Sequence, residues 1–345
     1  MKSYRFLISG GGTGGHIYPA ISIADELSKN FISTEILFVG SNNRMEMKKV
    51  PESGYNIKGL WISGIKRKLH FSNLLVPIKI IHSLIKSYLI IKKFKPDFVI
   101  GTGGFASGPV VYIASKLKLP TLIQEQNSYA GVTNKILSKS VELICVAYDN
   151  MNNFFPSNKI FYSGNPVRKE ITELKASKKD SDDFFNINRH GKVLLIIGGS
   201  LGAKAINEFI SKNLKFFEEK NIDIIWQCGK LYYDNYKKYL SKKVKIFPFI
   251  KDMSKAYASA DYIISRSGAS VISELCIVAK PVIFIPSPNL AEDHQTKNAL
   301  NIVKNNAALM VKEKDLNKLF FSVFNKMIND KNFSDELSRS IKLLA

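Results

Sequence analysis

The chain has 345 residues, of which 45% are hydrophobic and 23% charged, the balance of a folded globular protein rather than a disordered or fibrous one. At roughly 150 residues per domain, that length predicts two domains. Lys and Arg number 50 against 29 Asp and Glu, and the resulting net charge of +21 exceeds what solubility requires and points to an anionic partner.

The first elements alternate in a βαβ rhythm. Phe6 to Ser9 reads as a strand leading into glycines, Pro19 to Lys29 as a helix, and Ile36 to Gly40 as a second strand. The rhythm continues through a strand at Asp97 to Gly101, a helix from about Pro109 to Leu117, and strands at Thr121 to Gln124 and Leu143 to Ala147. Strands rich in Val, Ile and Leu that alternate with helices predict a doubly wound parallel sheet. A turn-rich FYSGNPVR and the polar run from Lys175 to Gly191 then mark a boundary, placed after residue 163. Beyond it the pattern restarts at Val193 to Ile197, with a helix from about Ala203 and further strands at Ile222 to Gln227, Val244 to Phe247, Tyr262 to Ser265 and Pro281 to Pro286. The expected fold class is therefore α/β, with Rossmann-like domains at 1–163 and 164–345 facing across a cleft.

The cysteines, Cys145, Cys228 and Cys276, are odd in number and fit no C-x-x-C or Cys/His pattern, so they read as buried thiols in a reducing compartment. Phe6-Leu7-Ile8 is too short for the apolar core of a signal peptide. The most apolar window, Leu74 to Ile91, is interrupted by Pro77, Lys79, His82 and Lys86 and does not read as a membrane-spanning helix.

Three glycine-rich turns follow strands: Gly10 to Gly15, Gly101 to Gly104 and Gly198 to Gly202. Such turns let backbone approach a ligand, and the N-H groups at the start of the next helix favour a phosphate. The first also satisfies G-x-G-x-x-G, but the second strand ends in Phe38-Val39-Gly40-Ser41-Asn42 with no acid for an adenosine ribose. An NAD site is thereby disfavoured, and an NADP site using Arg44 stays open. Three loops drawn from both halves fit a ligand held from two sides better than one dinucleotide does.

GGTGGHIYPA (Gly11 to Ala20), GTGGFASGPV (Gly101 to Val110), EQN (Glu125 to Asn127), GNPVR (Gly164 to Arg168), GGSLGAKAIN (Gly198 to Asn207), SRSGASVISE (Ser265 to Glu274) and DHQTKNA (Asp293 to Ala299) together resemble the motif series of the MurG family of bacterial glycosyltransferases. The resemblance spans nearly the whole chain. It implies a GT-B fold and transfer of N-acetylglucosamine (GlcNAc) from UDP-GlcNAc to the C4 hydroxyl of the muramyl sugar (MurNAc) in lipid I, with inversion, to form lipid II for peptidoglycan synthesis. It also implies that the second domain binds the donor, while the first binds the acceptor and meets the membrane.

Carried over by position, Glu274 accepts the uridine ribose hydroxyls, with Ala269, Ser270, Val271, Ile272 and Ser273 before it along the same donor site. The Ile250 backbone meets the uracil edge. Ser200 and the N-H groups beside it hold the diphosphate, with Arg168 adding positive charge there or else serving as an ordinary ion-pair partner. Gln295 and Asn127 bond the donor sugar, which Thr13, Gly14 and Gly15 approach from the opposite side. His16, at the mouth of the first glycine loop, is the expected catalytic base, since a histidine can accept a proton at neutral pH. The only Asp-x-Asp triplet, Asp180-Ser181-Asp182, lies in the polar connecting stretch and reads as solvated loop charge. The expectation is no obligatory metal and no cofactor.

Between Glu52 and Asp97 there is no acidic residue, whereas Lys58, Lys66, Arg67, Lys68, Lys79, Lys86, Lys92, Lys93 and Lys95 are basic. Phe71, Leu74 and Leu75 lie among Lys66, Arg67 and Lys68 and the later lysines. This segment is expected to dock on an anionic leaflet at the cytoplasmic face of the inner membrane. The repeat Ile78, Ile81, Ile85 and Leu89 that follows is expected to face the core. No nucleic-acid module is recognisable. Three further readings remain, an NADP-dependent oxidoreductase, a membrane-binding protein without turnover and, nearer than either, a related transferase acting on another lipid acceptor.

Overall fold

The structure, a computed structural model, describes residues 3–64, 74–189, 191–199, 201–288 and 293–345. Two compact units make up the chain, Met1–Val167 and Arg168–Ala345.

The first unit is a parallel sheet of β1 (Tyr4–Gly10), β2 (Thr34–Ser41), β3 (Asn56–Leu60), β4 (Phe98–Gly103), β5 (Thr121–Glu125), β6 (Leu143–Val146) and β7 (Ile160–Tyr162). Its helices are α1 (Gly14–Asn30), α2 (Glu46–Glu52), α3 (Val76–Phe94), α4 (Ser107–Lys116) and α5 (Val132–Leu137). Leu7, Ile8, Val39, Val99, Ile123 and Ile144 are buried along the central strands. The strand order is β3-β2-β1-β4-β5-β6-β7, so the direction of winding reverses between β1 and β4. The carboxyl ends of strands at such a reversal are where open α/β sheets bind ligands.

The second unit opens with α6 (Lys169–Thr172) and α7 (Lys178–Phe184) and builds a parallel sheet from β8 (Lys192–Ile197), β9 (Ile222–Gln227), β10 (Val244–Phe247), β11 (Tyr262–Ser265), β12 (Val282–Phe284) and β13 (Leu309–Met310). Around it lie α8 (Lys204–Lys212), α9 (Leu214–Glu219), α10 (Tyr233–Tyr236), α11 (Met253–Ser259), α12 (Ala269–Val278), α13 (His294–Lys304), α14 (Leu316–Asn329) and α15 (Lys331–Lys342). Trp226, Phe217, Phe320 and Phe324 anchor one face of its core. Winding reverses here between β8 and β11, in the order β10-β9-β8-β11-β12-β13. Both units are thus doubly wound, as the alternation of strands and helices predicts.

Three local expectations are corrected. Helix α1 starts at Gly14, ahead of Pro19, which sits inside it and leaves the Gly15 carbonyl without its helical N-H. His16 therefore belongs to the first turn of a helix. In α3 the repeat expected in the core faces solvent instead, with Ile81 60% and Leu89 59% exposed, while Val76, Ser83, Ser87, Ile90 and Ile91 are buried. Both stripes have helical spacing, so periodicity alone cannot choose between them. Ser83 and Ser87 win the inner face because small side chains let α3 approach its neighbours closely, and the Ser83 hydroxyl also donates to the Trp61 carbonyl at 3.2 Å.

The third correction concerns Asp180-Ser181-Asp182, which is helical rather than loop: Ser177 caps α7 by accepting the Asp180 N-H at 3.0 Å. Asp182 is buried and takes Arg189 Nε at 2.6 Å and Nη2 at 2.9 Å. Arg189 Nη1 reaches Asp261 at 2.6 Å, and Lys178 binds the same carboxylate at 2.7 Å. Burial raises the pKa of Asp182 and Asp261, but hydrogen bonds from Arg189, Lys178 and their neighbours outweigh it and hold both carboxyls below the usual range.

The cysteines are free thiols, Cys228 and Cys276 buried and Cys145 half-buried. Burial pushes Cys228 up to about 11 and Cys276 up to about 12, which keeps them inert. Among the described residues, no helix is long and apolar enough to cross a membrane.

Candidate active site

At the reversal point of the first unit, the loops after β1 and β4 interlock through their glycines. A Cβ added to Gly104, whose φ is +82°, would lie 2.2 Å from the Gly11 carbonyl oxygen, and one on Gly10 would lie 1.9 Å from the Thr102 hydroxyl. Glycine here serves loop-against-loop packing. The Gly12 N-H, which the sequence suggested would face a phosphate, instead donates to Glu46 Oε2 at 3.0 Å. Glu46 is fully buried, and its Oε1 accepts the Ser41 N-H at 2.9 Å. A dinucleotide pyrophosphate at that amide would meet the Glu46 charge, and Arg44 lies exposed in the turn beside it. The NADP reading loses its footing.

His16 is half-buried, and its ring lies over Gly103, where an added Cβ would come within 2.8 Å of Nδ1. Nδ1 sits 3.0 Å from the Thr102 carbonyl oxygen and 3.1 Å from Gln126 Oε1. The Thr13 carbonyl receives the N-H groups of His16 at 3.1 Å and Ile17 at 3.2 Å, which starts the helix. Thr13 and Gly15 are exposed, and Gly14 is half-buried beside Tyr18. Asn127 sends its N-H and its Nδ2 to Glu125 Oε1, each at 3.1 Å. The other oxygen of Glu125 takes the Gly131 N-H and Asn134 Nδ2, each at 2.9 Å. With both its oxygens engaged in this way, the buried Glu125 organises its loop.

At the reversal point of the second unit, the loop after β8 carries Gly199, with φ +84°, and the loop after β11 carries Gly268. A Cβ added to either would meet no described atom within 4 Å. Ser200 lies outside the described residues. At the end of β9, Gln227 joins two segments, donating Nε2 to the Gly199 carbonyl at 3.2 Å and accepting the Ile250 N-H at 2.8 Å. A ligand contact through the Ile250 backbone therefore falls to its carbonyl.

Glu274 is buried on α12. Its Oε1 takes Arg168 Nε at 2.8 Å and Nη2 at 2.7 Å, while Oε2 takes the Tyr257 hydroxyl at 2.9 Å. Burial works against the Arg168 charge, but the Glu274 carboxylate more than offsets it and raises the pKa. Burial, then the Glu274 charge, holds the Tyr257 phenol well above its ordinary value, so it stays a donor. Ala269 to Ser273 form the opening turns of α12, with Ala269 and Ile272 buried and Ser270, Val271 and Ser273 half-buried. In the first turn of α13, Gln295 Oε1 accepts the Ser287 N-H and its carbonyl accepts the Ser267 hydroxyl, each at 2.8 Å.

Lys66, Arg67, Lys68 and Phe71 lie outside the described residues. Leu74 and Leu75 directly precede α3 and are 74% and 44% exposed, in line with the bare face of that helix. Sequence reasoning missed Glu46, Gln126, Gln227 and Tyr257. Each is buried, and each acts on a residue distant in the chain. Only Gln126 lay inside a recognised motif.

The family model described as the glycosyltransferase family 28 N-terminal domain matches residues 6–146, and the one described as its C-terminal domain matches 193–342. A protein of Flavobacterium psychrophilum named UDP-N-acetylglucosamine--N-acetylmuramyl-(pentapeptide) pyrophosphoryl-undecaprenol N-acetylglucosamine transferase is 53% identical, over 100% of this chain and 94% of its own. A protein of the same name from Christiangramia forsetii is 51% identical, with 100% and 94% covered. The crystal structure of Acinetobacter baumannii MurG superposes with a TM-score of 0.75 at 28% identity, over 99% of this chain and 95% of that one. The chain belongs to glycosyltransferase family 28, within its MurG group, and has the GT-B fold.

Proposed function

We propose that this chain transfers GlcNAc from UDP-GlcNAc to the C4 hydroxyl of MurNAc in lipid I, with inversion, giving lipid II. The observation that carries the reading is the identity of 53% over the whole chain to a relative named for this transfer.

In this reading the second unit holds the donor. Both lone pairs of Glu274 Oε1 go to Arg168 and one of Oε2 goes to Tyr257, and the lone pair left on Oε2 accepts one hydroxyl of a cis-diol such as the uridine ribose. The diphosphate lies at the Gly199 to Gly202 loop, where backbone N-H groups and the start of α8 meet its charge, and no metal is called for. Gln295 and Asn127 bond the donor sugar. The first unit supplies the base and receives the acceptor. His16 Nε2 takes the proton of the C4 hydroxyl as that oxygen bonds to the anomeric carbon, and the bond from this carbon to the diphosphate breaks with its electron pair leaving on UDP.

The bare face of α3, with Leu74 and Leu75 ahead of it, rests on an anionic leaflet. There, each nearby Lys or Arg contributes roughly 1 kcal/mol. The protein then works as a peripheral enzyme at the cytoplasmic face of the inner membrane.

The test is transfer of radiolabelled GlcNAc to lipid I by the native chain, by His16→Ala and by Glu274→Ala. Native protein forms lipid II. His16→Ala lowers kcat by about a hundredfold or more, the usual worth of a general base, while Glu274→Ala raises KM for UDP-GlcNAc. A native chain that forms no lipid II overturns the reading.

A further inference from the structure

Three side-chain amides, those of Gln124 and Gln126 buried and that of Asn165 half-buried, form a one-way chain of hydrogen bonds that ends on His16, and its direction is determined at every link. Asn165 Nδ2 donates to the Gln126 backbone carbonyl at 3.1 Å, which turns Asn165 Oδ1 toward Gln124. Gln124 Nε2 donates to that oxygen at 2.9 Å, so Gln124 presents its own Oε1 to Gln126. Gln126 Nε2 faces acceptors alone: Gln124 Oε1, the Gln124 carbonyl at 3.2 Å and the Thr102 carbonyl at 2.8 Å. Flipping the Gln126 amide would set an oxygen against three oxygens, so the amide stays as it is and Oε1 faces His16 Nδ1 at 3.1 Å. The second partner of Nδ1, the Thr102 carbonyl at 3.0 Å, also only accepts.

We infer that Asn165, Gln124 and Gln126 are positioning residues for sugar transfer, a polarised amide relay that keeps the proton of neutral His16 on Nδ1 and its lone pair on Nε2. The inference rests on His16 being the base, since an imidazole can take a hydroxyl proton only through its bare nitrogen. EQN and GNPVR, separated in sequence, thereby act together, with Asn165 orienting Gln124, Gln124 orienting Gln126, and Gln126 orienting the base. Gln124 and Gln126 are almost wholly buried, so water does not compete for these bonds.

Long-range ¹H-¹⁵N spectra of the full chain labelled at histidine read the tautomer directly. With five histidines in the sequence, the His16 signals are assigned by their loss in His16→Gln. Native protein above the histidine titration shows a protonated Nδ1 and a bare Nε2. Gln126→Met, which removes the side-chain acceptor, yields a measurable Nε2-H population and lowers kcat by about tenfold with KM for UDP-GlcNAc unchanged. Asn165→Asp keeps the oxygen that receives Gln124 and retains the native tautomer. An Nε2-H tautomer in the native chain overturns the proposal, and so does a Gln126→Met protein with native tautomer and native kcat. Full activity in His16→Gln would instead refute the base assignment, and the spectra tell the two failures apart.

Discussion

Glu46 is a carboxylate that solvent does not reach, fixed to two backbone N-H groups, one from the loop after β1 and one from the last residue of β2. It plays the part of a bound anion supplied by the chain itself, and it holds the loop that leads into His16. Glu46→Gln turns one acceptor into a donor aimed at an N-H, and should cost about 2 kcal/mol of stability in urea unfolding. A change below a few tenths of that would mean the loop is held by its glycines alone. Tyr257 and Arg168 do the corresponding work for Glu274, one partner on each oxygen. Tyr257→Phe leaves the carboxylate held by Arg168 alone, so KM for UDP-GlcNAc should rise about fivefold to tenfold, a loss on the scale of one ordinary hydrogen bond. kcat should hold, and steady-state kinetics with varied donor separates the two parameters.

At the scale of elements, the strands were largely readable. Ile222 to Gln227 and Tyr262 to Ser265 coincide with β9 and β11, because short Ile-rich runs between turn residues have few other ways to be buried. Helix α3 was readable as a helix but its buried face was not, because it offers two apolar or small-residue stripes and only its neighbours decide which is covered. Ile81 and Ile85 are 60% and 57% exposed, so changing both to Glu should leave the thermal midpoint within about 1 °C while abolishing sedimentation with anionic vesicles. A fall of several degrees would place those side chains in a packed interface. Glycine loops were found at the right strand ends, yet their purpose was only half legible. In the first unit they pack on each other, and in the second a Cβ on Gly199 or Gly268 would meet no described atom within 4 Å. A glycine in the sequence reports that a side chain is excluded, not what excludes it.

At the scale of the whole molecule, the ion cluster of Arg189, Asp182, Asp261 and Lys178 ties α7 to the start of β8. Both carboxyls are held below their ordinary value of 3.8, so they bind fewer protons in the folded state than in the unfolded one. Their contribution is complete above that value and is lost as pH falls through the lower folded values. Thermal unfolding should show Arg189→Met well below native protein at pH 7, with the gap closing below about pH 4. A gap that stays constant with pH would assign the loss to packing rather than charge. From its sequence alone, the chain determined its two α/β halves, the strand ends that carry its loops and the family it belongs to, because periodicity and motif spacing are local or ordered along the chain. Tertiary structure alone decided that Glu46 fills an amide expected for a phosphate, that Asp182 is buried on Arg189, and that Gln126 aims His16. Each of these depends on which residues, 7 to 110 positions apart, meet where water is excluded, and a buried polar group reveals its role only through the partner that satisfies it.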